Sequence, residues 1–176
     1  MFYKTRQSVK LLAFAFVVSA SAATSASAQT TIQTVFNLES NIQKEASIPA
    51  DVIAILKSDE RVDGCFRQKG EGVDESKWFS ASEIDLNADG QMDLIIKAKD
   101  TCLYGANQGP FWIFQKAPDG YLKIMSASGL QLAVLPKKNN SFNQIKISKV
   151  VSMKPASETF SFSYKAGKYQ SGTRRK

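Results

Sequence analysis

Short runs of aromatic and β-branched residues fill the chain from Cys65 onward, and this pattern constrains the fold more than any other feature. Within residues 159–165, Phe160, Phe162 and Tyr164 alternate with serine and lysine. Such alternation is typical of a strand with one buried face and one face in water. The runs predict strands at residues 77–84, 92–99, 111–116, 121–128, 130–135, 143–151, 159–165 and 168–170.

Turn-forming residues separate these runs. The segments Pro118 to Gly120, Lys138 to Ser141 and Ala166-Gly167 fit tight turns, because glycine and asparagine adopt positive φ at little cost. Strands joined by short turns are antiparallel neighbours. The sequence therefore predicts an α+β fold, mainly β, in which an antiparallel meander forms a blade-like sheet with one or two N-terminal helices.

The predicted helices precede the strands. Residues 31–44 place apolar side chains at helical spacing, which predicts an amphipathic helix. A second helix begins with Ser47 as its cap and ends before Gly64. The helices together cover residues 31–58. Residues 66–77 hold six charged side chains and are predicted as an exposed loop.

The N-terminus has the pattern of an export signal. A positively charged start is followed by an apolar run at residues 11–18 and a small-residue cleavage site at residues 26–28. The run is too short to span a bilayer. We expect residues 1–28 to be a cleaved signal peptide, 29–170 a single β-rich domain and 171–176 a basic flexible tail. The mature protein would then be soluble and periplasmic or secreted; an uncleaved membrane anchor is the alternative.

Export bears on the two cysteines, Cys65 and Cys102. Outside the cytoplasm a disulfide between them can persist, and closing so long a loop is worth on the order of 4 kcal/mol in the chain-entropy model. Two free buried thiols are the alternative. The enclosed loop would contain residues 85–94.

Charge is distributed unevenly along the chain. Residues 29–100 hold 14 acidic and 8 basic side chains, whereas residues 101–176 hold 2 acidic and 12 basic ones. The molecule is expected to be electrically two-sided unless the fold interleaves the halves. A basic half could attract an anionic envelope component or an acidic protein. Alternatively, single lysines protect edge strands from self-association. Nucleic acid is not an expected partner of an exported chain.

Oxygen-bearing residues occupy alternate positions of one short segment: Asp85, Asn87, Asp89, Gln91 and Asp93. Calcium prefers oxygen ligands, and Gly90 permits the sharp turn that such a loop needs. Gln91 would contribute its backbone carbonyl. An EF-hand is excluded, because its twelfth position requires a bidentate Glu and here holds Ile96. The alternative is a turn rich in Asp and Asn that holds no metal.

Residues 82–96 resemble the strand, calcium loop and strand of FG-GAP and VCBS-type repeats. The resemblance implies that Asp85, Asn87, Asp89 and Asp93 are metal ligands, with Gln91 acting through its carbonyl. It covers a small part of the chain, in a single copy, without the F-G dipeptide upstream or G-A-P in the family's order. Residues 105–114 also resemble a segment of small exported bacterial proteins with one such loop. The resemblance implies a scaffold more than an activity.

The chain contains no histidine, which removes the commonest general base and the usual protease arrangements. Paired carboxylates could serve a glycosidase, but charged residues in loops are usually only solvated. The candidates are Glu71, Asp74, Glu75, Glu83 and Asp100.

Aromatic residues flank a glycine-rich turn at residues 104–112, where they could bind a sugar or a protein: Tyr104, Asn107, Phe111 and Trp112. Trp112 is the expected exposed member of this set. The alternative is that these rings belong to the core.

The hypothesis that results is an exported, non-enzymatic domain with a structural calcium ion and an interaction role in the cell envelope. Its partner would be a protein or an anionic envelope component. A secreted inhibitor of an envelope enzyme such as lysozyme is the alternative, and an envelope hydrolase is the third hypothesis.

Overall fold

The computed structural model describes residues 33–69, 74–105, 108–150 and 157–172. The predicted signal peptide, the last four residues of the predicted tail, Glu71 and Asn107 lie outside the described residues. Within the described part of the chain, the helices are all too short or too polar to cross a bilayer.

Strands make up most of the described chain. In chain order they are β1 (Val35–Asn37), β2 (Phe79–Ile84), β3 (Asp93–Ala98), β4 (Gly109–Ala117), β5 (Gly120–Gly129), β6 (Gln131–Asn139), β7 (Phe142–Val150), β8 (Ser157–Lys165) and β9 (Lys168–Ser171). Strands β2 to β9 coincide with the predicted runs to within a few residues.

The strands form two antiparallel sheets. A four-stranded sheet has the order β2-β3-β4-β5, and a five-stranded sheet has the order β1-β6-β7-β8-β9. The predicted class, mainly β with antiparallel strands and N-terminal helices, is confirmed. The meander differs from a single blade in one respect, because the chain changes sheets between β5 and β6.

Gly129 lies where the chain leaves one sheet for the other. The next residue, Leu130, already bonds to the second sheet, since its N–H donates to the Ser148 carbonyl at 2.8 Å. A Cβ atom on Gly129 would lie 2.5 Å from Cγ2 of Ile147 and 2.7 Å from the Ser148 carbonyl oxygen. Only glycine allows the two backbones to approach so closely.

Gly129→Ala should therefore lower the free energy of unfolding by roughly 1–3 kcal/mol, the usual cost of an overpacked core. Urea denaturation measures the change. Gly64→Ala is the matched control, because a Cβ atom there meets nothing within 4 Å. We expect the control to be neutral or slightly stabilising, as alanine favours a helix. Equal denaturation midpoints for the two variants would contradict the role of Gly129.

The N-terminal segment differs from the prediction. Residues 35–37 form β1 rather than part of a helix over residues 31–44. Phe36 is only 1% exposed, while Val35 on the opposite face is 43% exposed. The segment alternates in this way because it pairs with β6 along the edge of the five-stranded sheet.

Two helices lie between β1 and β2: α1 (Ala50–Lys57) and α2 (Glu60–Lys69). Helix α2 continues through Gly64, so the predicted loop over residues 66–77 begins as a helix. Its buried face, Val62 and Cys65, holds it against the protein.

The predicted disulfide is confirmed. Cys65 of α2 is bonded to Cys102, which lies in a short 3-10 turn after β3, with 5.8 Å between their Cα atoms. The bond ties α2 to the turn that follows β3 in the four-stranded sheet.

Both faces of the four-stranded sheet are covered. All six residues of β3 are buried, which explains why its apolar run does not alternate. On one face, the Trp112 indole donates to Asp59 in the junction between α1 and α2, at 2.9 Å. On the other face, the Tyr164 hydroxyl of β8 donates to Gln115 of β4, at 3.2 Å. Helices therefore cover one face and the five-stranded sheet covers the other.

Four turns between successive strands lie together at one end. The Asn143 N–H donates to the Leu86 carbonyl at 2.8 Å, which joins the β6–β7 turn to the β2–β3 loop. The Asn140 amide donates to the Tyr164 carbonyl at 2.9 Å, which joins the β6–β7 and β8–β9 turns. We call this region the loop end; its turns are residues 85–92, 118–119, 140–141 and 166–167.

Candidate metal loop

The acidic loop joins β2 to β3 at the loop end. The two strands pair from Phe79 and Ala98 to Ile84 and Asp93, so the loop connects adjacent antiparallel strands. Leu86 is fully buried and anchors the loop to the core. Gly90 has a φ of 81° and provides the turn that the sequence predicts at this position.

Asp85 organises the loop from its first position. Its Oδ1 atom accepts the backbone N–H groups of Asn87, Ala88 and Asp89 at 3.3, 2.6 and 3.3 Å. Its Oδ2 atom accepts the Gly90 N–H at 3.0 Å. Partial burial acts to raise the pKa of Asp85, but these N–H donors outweigh it and the pKa is lowered. The ionised carboxylate therefore holds the loop in its conformation.

Asp93 closes the loop and is fully buried. Its Oδ2 atom accepts the Leu86 N–H at 3.1 Å, and its Oδ1 atom accepts the Lys116 N–H of β4 at 2.9 Å. Burial raises the pKa of Asp93 to about 6; the two N–H donors oppose the rise, while the charges of Asp89 and Asp85 add to it. One carboxylate thus links the loop to the neighbouring strand.

The remaining loop residues face the solvent. The Asn87 amide donates to Oδ2 of Asp89 at 2.6 Å, and Oδ1 of Asp89 accepts the Gln91 N–H at 2.7 Å. An open groove of about 600 Å³ lies beside them, between the loop and the β4–β5 turn. Its lining combines polar and apolar residues: Asp89, Gln91, Gln115, Lys116, Ala117 and Pro118.

Three of the five predicted ligands lie in contact with one another on the loop. Asp85, Asn87 and Asp89 carry hard oxygen atoms within one preformed loop, which suits calcium. Asp93 differs from them in being fully buried, where its oxygens accept the N–H groups of Leu86 and of Lys116 in β4. Over the described ranges, no three Asp, Glu, Cys or His side chains converge in a way that could hold a metal ion. Calcium binding at this loop stays a prediction.

The aromatic side chains of the predicted binding loop are largely withdrawn from the surface. Phe111 and Trp112 are fully buried, and Tyr104 is half-buried. The prediction that Trp112 is exposed is wrong, because its indole lies under the helix junction and packs edge-on against Phe79 with 5.6 Å between ring centroids. These rings are core residues, as the alternative held.

A charged cluster that the sequence did not indicate surrounds Trp112. Asp59 accepts the Trp112 indole N–H and two N–H groups of the Arg61 guanidinium. Arg61 also donates to the hydroxyls of Ser126 and Ser128 of β5, both at 2.9 Å. Burial acts to raise the pKa of Asp59, but the hydrogen bonds from Arg61 and Trp112 and the Arg61 charge lower it to about 2. The cluster fastens the helix junction to the sheet.

The Asp59 pKa predicts a specific acid sensitivity. The folded-state pKa of about 2 lies below the ordinary value of 3.8, so the ionised carboxylate stabilises the fold fully above about pH 4. This stabilisation, about 2 kcal/mol, is lost as the pH falls through about 2. Asp59→Asn should remove it and flatten this part of the pH dependence.

Urea denaturation from neutral pH to about pH 2 measures the difference between the variant and the wild type. Asp63→Asn serves as the control, because Asp63 pairs with Arg67 at the surface with 48% of its side chain exposed. The control should follow the wild type. A curve for Asp59→Asn that runs parallel to the wild type would contradict the role of Asp59.

Lys97 of β3 is another buried charge, with 5% of the residue exposed. Its ammonium donates to the backbone carbonyls of Asn37, at 2.9 Å, Leu38, at 2.7 Å, and Ser40. Burial lowers the pKa of Lys97, while the charge of Glu45 opposes this. The side chain fixes the segment that follows β1. A lysine within the apolar run of residues 94–98 was the sequence signal for such a role.

Two of the carboxylates considered for hydrolase chemistry, Asp74 and Asp100, have structural partners. Asp100 accepts the Cys102 N–H at 2.9 Å and pairs with Lys69 at 2.5 Å. Asp74 pairs with Lys77 at 3.4 Å. Asp100 therefore acts as a cap for the turn that carries the disulfide.

No protein-family model, curated protein or solved structure matches the chain.

Proposed function

We propose that the mature chain is an exported, non-enzymatic domain whose acidic loop binds calcium structurally, and that it has an interaction role in the cell envelope. The observation that carries the calcium proposal is the preformed loop. Asp85 holds four backbone N–H groups, and Asp93 ties the loop to β4. A loop already ordered loses little entropy when it binds an ion.

The electrostatics of the loop support the same proposal. The charges of Asp89 and Asp85 act on the buried Asp93, so three carboxylates repel one another. Asp85, Asn87 and Asp89 would hold the cation, together with the Gln91 carbonyl. When bound, calcium supplies positive charge that offsets this repulsion.

Two features support export. The N-terminal residues have the pattern of a signal peptide. The Cys65–Cys102 disulfide is of the kind that persists in the periplasm and outside the cell, where thiols are not kept reduced.

Thermal unfolding in calcium and in EDTA tests the calcium proposal. At a calcium concentration about 100 times its Kd, the stabilisation is about 2.7 kcal/mol. This corresponds to a rise in Tm of roughly 5–10 °C for a domain of this size. Asp89→Ala should abolish the rise, because Asp89 is an exposed ligand whose loss leaves the core intact.

Asp119→Ala is the matched control for this measurement. Asp119 lies in the neighbouring β4–β5 turn, outside the acidic loop, and its removal makes the same change in charge. The control should keep the full calcium-dependent rise. A Tm that is equal in calcium and in EDTA would overturn the calcium proposal.

A further inference from the structure

The five-stranded sheet has one face that no other element of the described structure covers. Its inner face carries Leu132, Ile145 and Ile147, which are buried against the four-stranded sheet. The alternate residues point the other way, and the register aligns Val35, Ala133, Lys146 and Ser161 in one row across the strands. We call the surface formed by these alternate residues of β1 and β6 to β9 the outer face.

The outer face is cationic. Lys146 lies near its centre, among serine, threonine and glutamine side chains of the neighbouring positions. Glu158 is the only acidic residue from β6 to β9. It lies opposite Lys149, on the positions that point to the inner face. The described outer-face positions therefore include lysines but no carboxylate.

More lysines gather where this face meets the loop end. Lys165 and Lys168 lie directly opposite each other across the β8–β9 hairpin. Like charges in this arrangement destabilise a hairpin by a few tenths of a kcal/mol or more. Lys137 and Lys138 lie near the end of β6. The Asn140–Tyr164 contact holds this end beside the end of β8. An anionic surface would offset this repulsion, because it attracts both lysines.

The charge halves interleave only in part: the basic half also supplies β4 and β5 of the four-stranded sheet, and the acidic half supplies β1 of the five-stranded sheet. The strands β6 to β9, from the basic half, form all of the five-stranded sheet except β1. The helices, β2, β3 and the acidic loop come from the acidic half. Most acidic side chains nevertheless belong to the helices, β2, β3 and the acidic loop, so the molecule is electrically polarised and its outer face is attracted to negative charge.

The shape of this surface favours a bilayer over a polymer chain. Five strands at the usual spacing of about 4.8 Å give a face about 20 Å wide. Val35 and Val150, two of the exposed large apolar residues, belong to this face and are 43% and 36% exposed. Lysines attract diffuse charge, whereas specific phosphate recognition generally uses the fork of an arginine. A broad cationic face with apolar side chains suits a planar anionic surface.

We propose that the outer face docks the protein on an anionic lipid bilayer, through Lys146, Lys165, Lys168 and the lysines at the end of β6. The bilayer is then the partner in the interaction role proposed above. The docking proposal rests on the export of the chain but not on calcium binding. Each lysine near an anionic leaflet contributes about 1 kcal/mol. Loss of three lysines should weaken binding on the order of 100-fold.

Sedimentation with lipid vesicles tests the proposal, with the exported form of the protein in EDTA. The protein should bind phosphatidylcholine vesicles that contain phosphatidylglycerol, should not bind vesicles of phosphatidylcholine alone, and should dissociate as salt is added. The variant with Lys146, Lys165 and Lys168 all changed to Gln should lose this binding. Its Tm should equal or slightly exceed that of the wild type, because these side chains lie at the surface and the change removes the repulsion between Lys165 and Lys168.

The matched control changes Lys44, Lys77 and Lys99 to Gln. These lysines are exposed and belong to the acidic half, and the change in net charge is the same. The control should keep most of the binding. Equal losses in the two triple variants, or equal binding to neutral and anionic vesicles, would overturn the proposal. So would binding to a soluble polyanion without binding to anionic vesicles.

The two proposals can fail separately. Because the vesicle measurement is made in EDTA, its result does not depend on the acidic loop. A calcium-dependent rise in Tm without vesicle binding would remove the membrane proposal and leave the calcium proposal. Vesicle binding without any effect of calcium would do the reverse.

Discussion

The four-stranded sheet meets protein on both faces, and much of the structure depends on this constraint. Because β3 is buried along its whole length, its two faces need two separate covers. The helices form one cover, held by the Cys65–Cys102 disulfide and by the bond between Trp112 and Asp59. The five-stranded sheet forms the other, and the chain reaches it directly through Gly129.

Three charged side chains lie in or against this buried sheet, and each meets its own set of partners. Lys97 donates to three backbone carbonyls, Asp93 accepts two backbone N–H groups, and Asp59 binds Arg61 and Trp112. A buried charge without partners costs several kcal/mol. These contacts therefore determine where the segment after β1, the acidic loop and the helix junction lie.

The same arrangement separates the charges of the molecule. The acidic half supplies the helices and the loop of the four-stranded sheet, while the basic half supplies the strands whose outer face remains uncovered. The two proposals concern different regions for this reason: the calcium proposal concerns the acidic loop, and the membrane proposal concerns the outer face.

The sequence by itself determined strands β2 to β9, because alternation and turn residues are local signals. It also identified the cysteine pair, since only one pair exists, and the Asp85 loop. It wrongly predicted a helix over residues 31–44, because the apolar residues there have helical spacing. Residues 35–37 instead form a strand, because they pair with β6, which lies far along the chain. The burial of Trp112 and the partner of Asp93 on β4 were decided only by the tertiary structure. Both depend on which sheet face and which neighbour a strand acquires, and no local pattern specifies that choice.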